Sequence, residues 1–445
     1  MVAQNTSTTS TDKQHLLRRQ VGAVGAVMMG LGSMVGTGVF VGTGIAAGVA
    51  GPAVILSIVV AGIVATCNGL SSAQLAANHP VSGGTYEYGY RWLHPSLGFT
   101  AGWMFLCAKS TSAATAALGC AGYALNIIGQ NRPATVVPLA VATVFGLTLL
   151  VLSGIRRSSI TNILIVSVTL LSLTIFVVAG LPTAFATGAE NLTPFFATEF
   201  EHSSPLAGFL EACALMFVAY TGYGRIATLG EEICKPHRNI PIAIIISLLI
   251  SMTLYFSVGL VSISVVGAKT FAAAGTEKAV PLELVADQVD VPGAALIVAV
   301  GAVTAMLGVL LNLLLGLSRV GLAMGRRQDI PSVFAKIHDT TSTPYPVVIF
   351  VGCVIAGMVL IGDVKTTWSF SAFTVLIYYA ITNLAAIRLK EDERSYPRVI
   401  SWAGLSFCLF LAFWVEPFVW MIGLGLISVG LIWHSIASQL AHSAK

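Results

Sequence analysis

The stretch "GLGSMVGTGVFVGTG" (Gly30–Gly44) lies inside a long apolar run, yet six of its fifteen residues are glycine. A helix that crosses a membrane gains from side chains that fill space, so these glycines need a reason. One reason is packing: small residues four apart let two helices approach closely, and Gly32 with Gly36, Gly38 with Gly42 and Gly44 with Gly48 have that spacing. The other is an interruption, where the helix stops and restarts. A second stretch, far along the chain, decides between them.

The surrounding composition is that of a membrane protein. Of 445 residues, 56% are hydrophobic and 9% charged, against about a quarter charged in a soluble domain. The net charge of +4 is small, and the cations lie between apolar runs rather than in a patch, which argues against a nucleic-acid partner. Seven cysteines without metal-type spacing fall mostly within apolar runs and read as packing residues. The sequence has no cofactor motif and no metal-ligand motif. Its polar first twenty residues precede an apolar run too long for a leader, so that run reads as a retained anchor.

A spanning helix needs about 20 mostly apolar residues, and twelve stretches meet that length. They run approximately over 21–50, 52–77, 97–127, 134–154, 160–181, 205–234, 239–267, 292–324, 345–362, 367–389, 399–415 and 417–438. Lys and Arg favour the cytoplasmic connections. With the N-terminus inside, the inner segments hold seventeen of the 23 cations and the outer ones only Arg132, Lys269, Lys278 and Lys365. Both termini are then expected in the cytoplasm, around one lipid-embedded domain at 21–438 with tails at 1–20 and 439–445. Lys109 and Arg225 fall within spans.

The deciding stretch is "AYTGYGRIATLGEE" (Ala219–Glu232), where glycine and polar residues again interrupt an apolar helix. It lies in span six, five spans after the first. An odd repeat length makes a second copy enter from the opposite face, so two interrupted helices would run antiparallel and meet near the midplane. Paired interrupted segments of this kind mark the binding site of secondary transporters. Irregular backbone at that depth is tolerated where it lines a cavity or is buried in protein. The restarted helix would present N–H groups at Thr37 and Gly38 to a carboxylate. Carbonyls near Met34, Val218 and Thr221 would accept from an ammonium, so one small zwitterion satisfies both ends.

Four motifs now resemble one family. "GSMVGTGVF" is similar to the first-span motif of amino acid permeases in the amino acid, polyamine and organocation superfamily. "NHPVSGGTYEYGYRWLHPSLGFTAGW" (78–103), "FVAYTGYGRIATLGEEICKPHRNIPIAI" (217–244) and "SRVGLAMGRRQDIPSVFAKIHDTTSTPYPVV" (318–348) resemble later family segments in the right order. The resemblance implies an all-α fold of the leucine-transporter type. Repeat one (21–181) and repeat two (205–390) form a five-plus-five inverted repeat with helices 1 and 6 broken, and two further helices at 399–438 follow. It also implies alternating access around a central amino acid site. Carried onto this chain, that site comprises Met34, Val35, Gly36, Thr37 and Gly38 in span one. Val218, Tyr220, Thr221, Gly222 and Tyr223 come from span six, Ser110 and Ala113 from span three, and Leu313 from span eight. Two departures bear on mechanism: Thr169 stands where several proton-coupled relatives carry a lysine, and Gly224 where carriers of cationic amino acids often place a carboxylate.

Lys109, too deep in span three to reach the interface easily, is expensive in lipid and so has either a structural partner or a function. The functional reading makes it the coupling group in place of the absent fifth-span lysine, as a proton carrier or as a tethered cation replacing sodium. Arg225 pairs structurally with Glu231, Glu232 or Glu87, or serves a gate or selectivity role. Tyr220 and Tyr223 gate the substrate or simply pack. Asn312 lines the path or bonds to a neighbouring helix. An intramembrane enzyme lacks its catalytic constellation here, and a channel lacks a filter ring. A transporter-like sensor would keep the pocket without flux. The expectation is therefore an amino acid symporter of the cell membrane, with neutral L-amino acids and protons as its small partners, sodium disfavoured, and exchange as the alternative mode. The sequence leaves the oligomeric state open.

Overall fold

The computed structural model describes residues 21–81, 83–130, 132–154, 159–196, 204–228, 232–338, 343–361 and 363–443. The expected N-terminal tail, residues 1–20, and Glu231 lie outside them. Among the described residues the secondary structure is helical, apart from one isolated parallel bridge between Val21 and Ile233. The chain opens with α1 (Ala23–Met34), a π-helical turn (Gly38–Gly42), α2 (Thr43–Ala50) and α3 (Val54–Asn78). Then come α4 (Thr85–Trp92), α5 (Pro95–Ile127), α6 (Pro133–Leu152) and α7 (Ser159–Asn191). α8 (Pro205–Tyr220) and α9 (Gly224–Thr228) are separated by a short 3-10 turn (Thr221–Tyr223). They are followed by α10 (Pro236–Val266), α11 (Ala268–Ala273), α12 (Pro281–Asp287) and α13 (Ala294–Arg326). α14 (Tyr345–Val359), α15 (Val364–Ile387), α16 (Arg398–Ala412) and α17 (Pro417–Ser443) complete the bundle.

Among the described residues, eight helical stretches are long and apolar enough to cross a membrane. One of them, Ala23–Asn78, has 56 residues, enough at 1.5 Å per residue to cross a core about 30 Å thick more than once. α5 has 33 residues but is not among the eight, because its middle reads "KSTSAAT". Burial separates centre from periphery. In the most apolar window, 78% of residues are buried in α15 and 72% in both Ala23–Asn78 and α8–α9, against 22% in α6 and 17% in α17. Exposed Phe145, Leu149, Phe418 and Trp433 on the last two helices give the apolar exterior that lipid requires.

Local chemistry sets the helix limits. Pro95, Pro205 and Pro236 occupy first helical positions, where no N–H is needed. Asp363 caps α15 by accepting from the N–H groups of Lys365 at 3.1 Å and Thr366 at 2.9 Å. Gly267, at φ +75°, ends α10 in a conformation that favours glycine. α5 packs against both α13 and α15. Its hydroxyls bond across to α15: Ser112 to Ser371 at 2.7 Å and Thr115 to Thr367 at 2.9 Å. α10 packs against α1, α3 and α7, which places its Tyr255 beside the first interruption.

α4 is held to the end of α13 by a polar cluster. Tyr86 and Tyr90 donate to the carboxylate of Asp329 at 2.6 and 2.7 Å. Arg327 pairs with Glu87 and lies over the Tyr90 ring, 4.4 Å from its centroid.

Candidate functional site

The first interruption follows Met34. Val35 is extended, with φ −78° and ψ 93°, and the helix resumes through a π-helical turn before α2. Among the described residues no backbone acceptor takes the N–H groups of Gly36, Thr37 or Gly38, as expected at a helix start. The second interruption is the 3-10 turn between α8 and α9. Both fall inside the glycine-rich stretches of the sequence.

The two interruptions touch. A Cβ on Gly222 would stand 2.4 Å from the carbonyl carbon and oxygen of Ser33 and 2.5 Å from the nitrogen of Met34. One on Gly38 would stand 2.4 Å from the Cβ of Ala219 and 2.7 Å from its Cα. Each glycine thus lets one broken helix approach the backbone of the other more closely than any side chain permits. The packing reading holds at other positions: Gly30 faces Ile226 and Ser247, Gly32 faces Asn162 and Val166, and Gly36 faces Val309.

Hydroxyl groups from neighbouring helices settle on the freed carbonyls. Tyr255 of α10 shares its proton between the carbonyls of Met34, at 2.7 Å, and Ala219, at 3.2 Å, and so joins the two interruptions. Tyr379 of α15 donates to the carbonyl of Thr221 at 3.1 Å. Thr221 Oγ1 donates to the carbonyl of Val218 at 2.8 Å and accepts from Lys109 Nζ at 2.9 Å. Of the carbonyls expected to face a ligand, that of Met34 holds one donor and keeps a second lone pair, whereas those of Val218 and Thr221 each hold two, the N–H groups of Thr221 and Gly224 being the second donors.

A cavity of about 30 Å³ lies between the interruptions, roughly the space for two waters. Span one contributes Ser33, Met34, Thr37 and Gly38, and α8 with its turn contributes Val218, Ala219 and Thr221. Lys109 and Ser112 come from α5, Val309 and Leu313 from α13, and Trp368 from α15. Lys109 is only 8% exposed and Thr37 4%. Thr37 Oγ1 finds no hydrogen-bond partner among the described residues. The Trp368 indole donates to the carbonyl of Leu215 at 3.1 Å and lies against Gly42, spanning α8 and the π-helical turn.

Of the residues expected at the site, Met34, Thr37, Gly38, Val218, Thr221, Leu313 and Lys109 line this cavity. Val35, Gly36 and Gly222 belong to the interruptions without lining it. Ser110 and Ala113 are buried in α5 but do not line it; Ser112 does. Tyr220 points toward α3, where its hydroxyl donates to the carbonyl of Ile58 at 3.1 Å. Tyr223 is buried with its ring 5.3 Å from that of Tyr379. Asn312 donates to the carbonyl of Gly32 at 3.3 Å, an interhelical bond beside the first interruption. Two carboxylates expected near Arg225 meet other arginines: Glu232 pairs with Arg319 at 3.0 Å and Glu87 with Arg327. Sequence reasoning missed Ser33, Ser112 and Trp368 in the wall and the tyrosines of α10 and α15 behind it. The only sequence signal for these was an apolar helix carrying a polar tip.

The sequence matches the amino acid permease family profile over residues 21–437. An uncharacterized transporter of Mycobacterium tuberculosis is 38% identical over 429 residues, covering 96% of this chain and 93% of that protein. A branched-chain amino acid permease of Bacillus subtilis is 29% identical, with 90% and 89% covered. The vacuolar cationic amino acid transporter 4 of Arabidopsis thaliana is 28% identical, with 79% and 60% covered. A match over nearly the whole chain, on a helical bundle that suits a multi-pass membrane protein, places it among transporters rather than enzymes: the chain belongs to the amino acid permease family of the amino acid, polyamine and organocation superfamily.

Proposed function

We propose that the chain is a secondary active carrier that moves small neutral L-amino acids across a cell membrane by alternating access, in symport with protons. The reading takes the twelve apolar stretches as spans with both termini cytoplasmic. Residues 21–181 and 205–390 are two inverted repeats, and the helices at 399–438 are additions to them. The observation that carries it is the backbone contact of the two interruptions around one small cavity, Gly222 against Ser33 and Gly38 against Ala219.

The substrate carboxylate takes the N–H groups of Thr37 and Gly38 with Thr37 Oγ1, at the positive end of the restarted helix. Its ammonium takes the second lone pair on the carbonyl of Met34 and competes for the carbonyls of Val218 and Thr221, each of which already holds two donors. Trp368 bridges the π-helical turn and α8 and serves as the outer cover. The Val21–Ile233 bridge and the Arg319–Glu232 pair close the inner end. Separating one set while the other holds exposes the cavity to one side at a time. Lys109 is the coupling group, its protonation following access to each side.

Substrate choice follows from charge and room. A lysine or arginine side chain would add a third cation to Lys109 and the substrate's own ammonium, and two unit charges 4 Å apart repel by about 4 kcal/mol at an effective dielectric near 20. The named carriers of cationic amino acids are relatives of this chain, but its cavity wall has no carboxylate among the described residues. The cavity volume favours small side chains, with Val309 and Leu313 as the walls that move for larger ones.

Reconstitution in liposomes tests the proposal, with radiolabelled alanine, serine, leucine and arginine under imposed proton, sodium and counter-substrate gradients. The expected result is saturable alanine uptake, faster with an inward proton gradient and indifferent to sodium. Uptake of arginine alone would overturn the substrate assignment. Acceleration by counter-substrate alone would replace symport with exchange.

A further inference from the structure

Lys109 Nζ does more than lie in the cavity wall. It donates to Thr221 Oγ1 at 2.9 Å, and that hydroxyl spends its own proton on the carbonyl of Val218 at 2.8 Å. Thr221 is also the first residue of the second interruption, where its carbonyl accepts from Tyr379 and from the Gly224 N–H. The protein's own amine is therefore bonded at the place where a zwitterion's ammonium is expected. The opposite wall is different. Thr37 Oγ1 is buried without a partner among the described residues, beside the N–H groups of Thr37 and Gly38, which no backbone acceptor takes. That wall offers donors to an anion, and no carboxylate lines the cavity among the described residues.

We infer that Lys109 is a resident amine in the amino subsite, and that the site recognises its ligand through the carboxylate, so short monocarboxylates without an amino group are ligands. The inference rests on the proposal that the two interruptions form the substrate site. A 2-hydroxy acid or a short alkanoate supplies the single negative charge that complements Lys109 and leaves the Lys109–Thr221 bond in place. An amino acid brings a second ammonium, which competes with Lys109 for the same acceptors and must displace it. The cavity of about 30 Å³, space for about two waters, must widen to admit a ligand of the size of lactate, propionate or alanine, and must widen further for a larger one.

The test is competition against radiolabelled alanine uptake in liposomes, using lactate, propionate and propylamine with the wild-type carrier and Lys109→Met. In the wild type, lactate and propionate are expected to inhibit within about tenfold of the alanine concentration that does so, and propylamine to have no effect at about a hundredfold excess. In Lys109→Met, lactate inhibition is expected to weaken by about thirtyfold relative to alanine, the scale for removing one partner of a buried charge pair. Saturable alanine uptake that ignores lactate and propionate in the wild type would overturn the inference and leave the amino acid carrier standing. Uptake of neither alanine nor any other amino acid, with no response to carboxylates, would overturn both. The wild-type comparison decides the point even if Lys109→Met does not fold.

Discussion

Gly222 packs directly on the peptide between Ser33 and Met34, leaving 2.4 Å between its absent Cβ and the Ser33 carbonyl. Neither backbone can retreat without separating the two interruptions. Gly222→Ala is therefore expected to lower stability by at least the 1–3 kcal/mol typical of overpacking, about several degrees of unfolding midpoint, and to abolish uptake. Gly146→Ala, in α6 where a Cβ meets nothing within 4 Å, is expected to leave both unchanged. Thermal unfolding in detergent and uptake in liposomes check the pair.

Tyr255 bonds to both interruptions, at Met34 and Ala219. Tyr255→Phe leaves two buried carbonyls short of a donor, a loss of about 1–3 kcal/mol. Unfolding midpoints are expected to fall accordingly, and the KM for alanine to rise because the carbonyl wall is no longer held. An unchanged KM would show that the tyrosine acts on the fold alone.

Trp368, in the cavity wall, ties α8 to the π-helical turn at Gly42. Trp368→Ala removes the cover and costs about 3–5 kcal/mol if the space does not collapse. A cysteine at Ser112, in the cavity wall, is expected to react several-fold faster with a membrane-impermeant thiol reagent added outside when Trp368 is alanine. Trp368→Phe keeps the bulk but loses the bond to Leu215, and an intermediate rate is expected.

His79 follows α3 at its non-membrane end, with Nδ1 2.6 Å from Arg91 Nη1. Burial, then the charges of Arg91 and Arg327, holds its imidazole below the usual histidine range. A depressed value means the folded state resists a proton that the unfolded chain accepts, so this contact's stability is present above about pH 6.5 and is lost as pH falls below it. The wild-type unfolding midpoint is expected to drop more between pH 7 and 5 than that of His79→Gln. Equal slopes would remove the contact from the stability of α3 and α4.

Helical character, family and the two interruptions were legible because glycine, threonine and small residues inside apolar runs are a local signal. Met34, Thr37, Gly38, Val218 and Thr221 could be named for the same reason: they flank the gaps. The third-span contribution was less legible. In α5 nearly every residue from Ala108 to Tyr123 is buried, so there is no polar stripe to set its rotation, and Ser112 could not be chosen over Ser110 or Ala113. Tyr255, Trp368 and Tyr379 lie 36 to 221 positions from the carbonyls that they hold, and nothing local marks such partners. Tyr220 and Tyr223 sit beside the second gap in sequence, yet one turn of helix is enough to direct their rings into packing.

A structure determined with L-alanine bound tests most directly whether the two interruptions hold the substrate. The expected result places its carboxylate within hydrogen-bond reach of the Thr37 and Gly38 N–H groups and its amino group beside Thr221. Alanine bound away from both gaps, or α1 continuing unbroken through Thr37 with alanine in place, would contradict it.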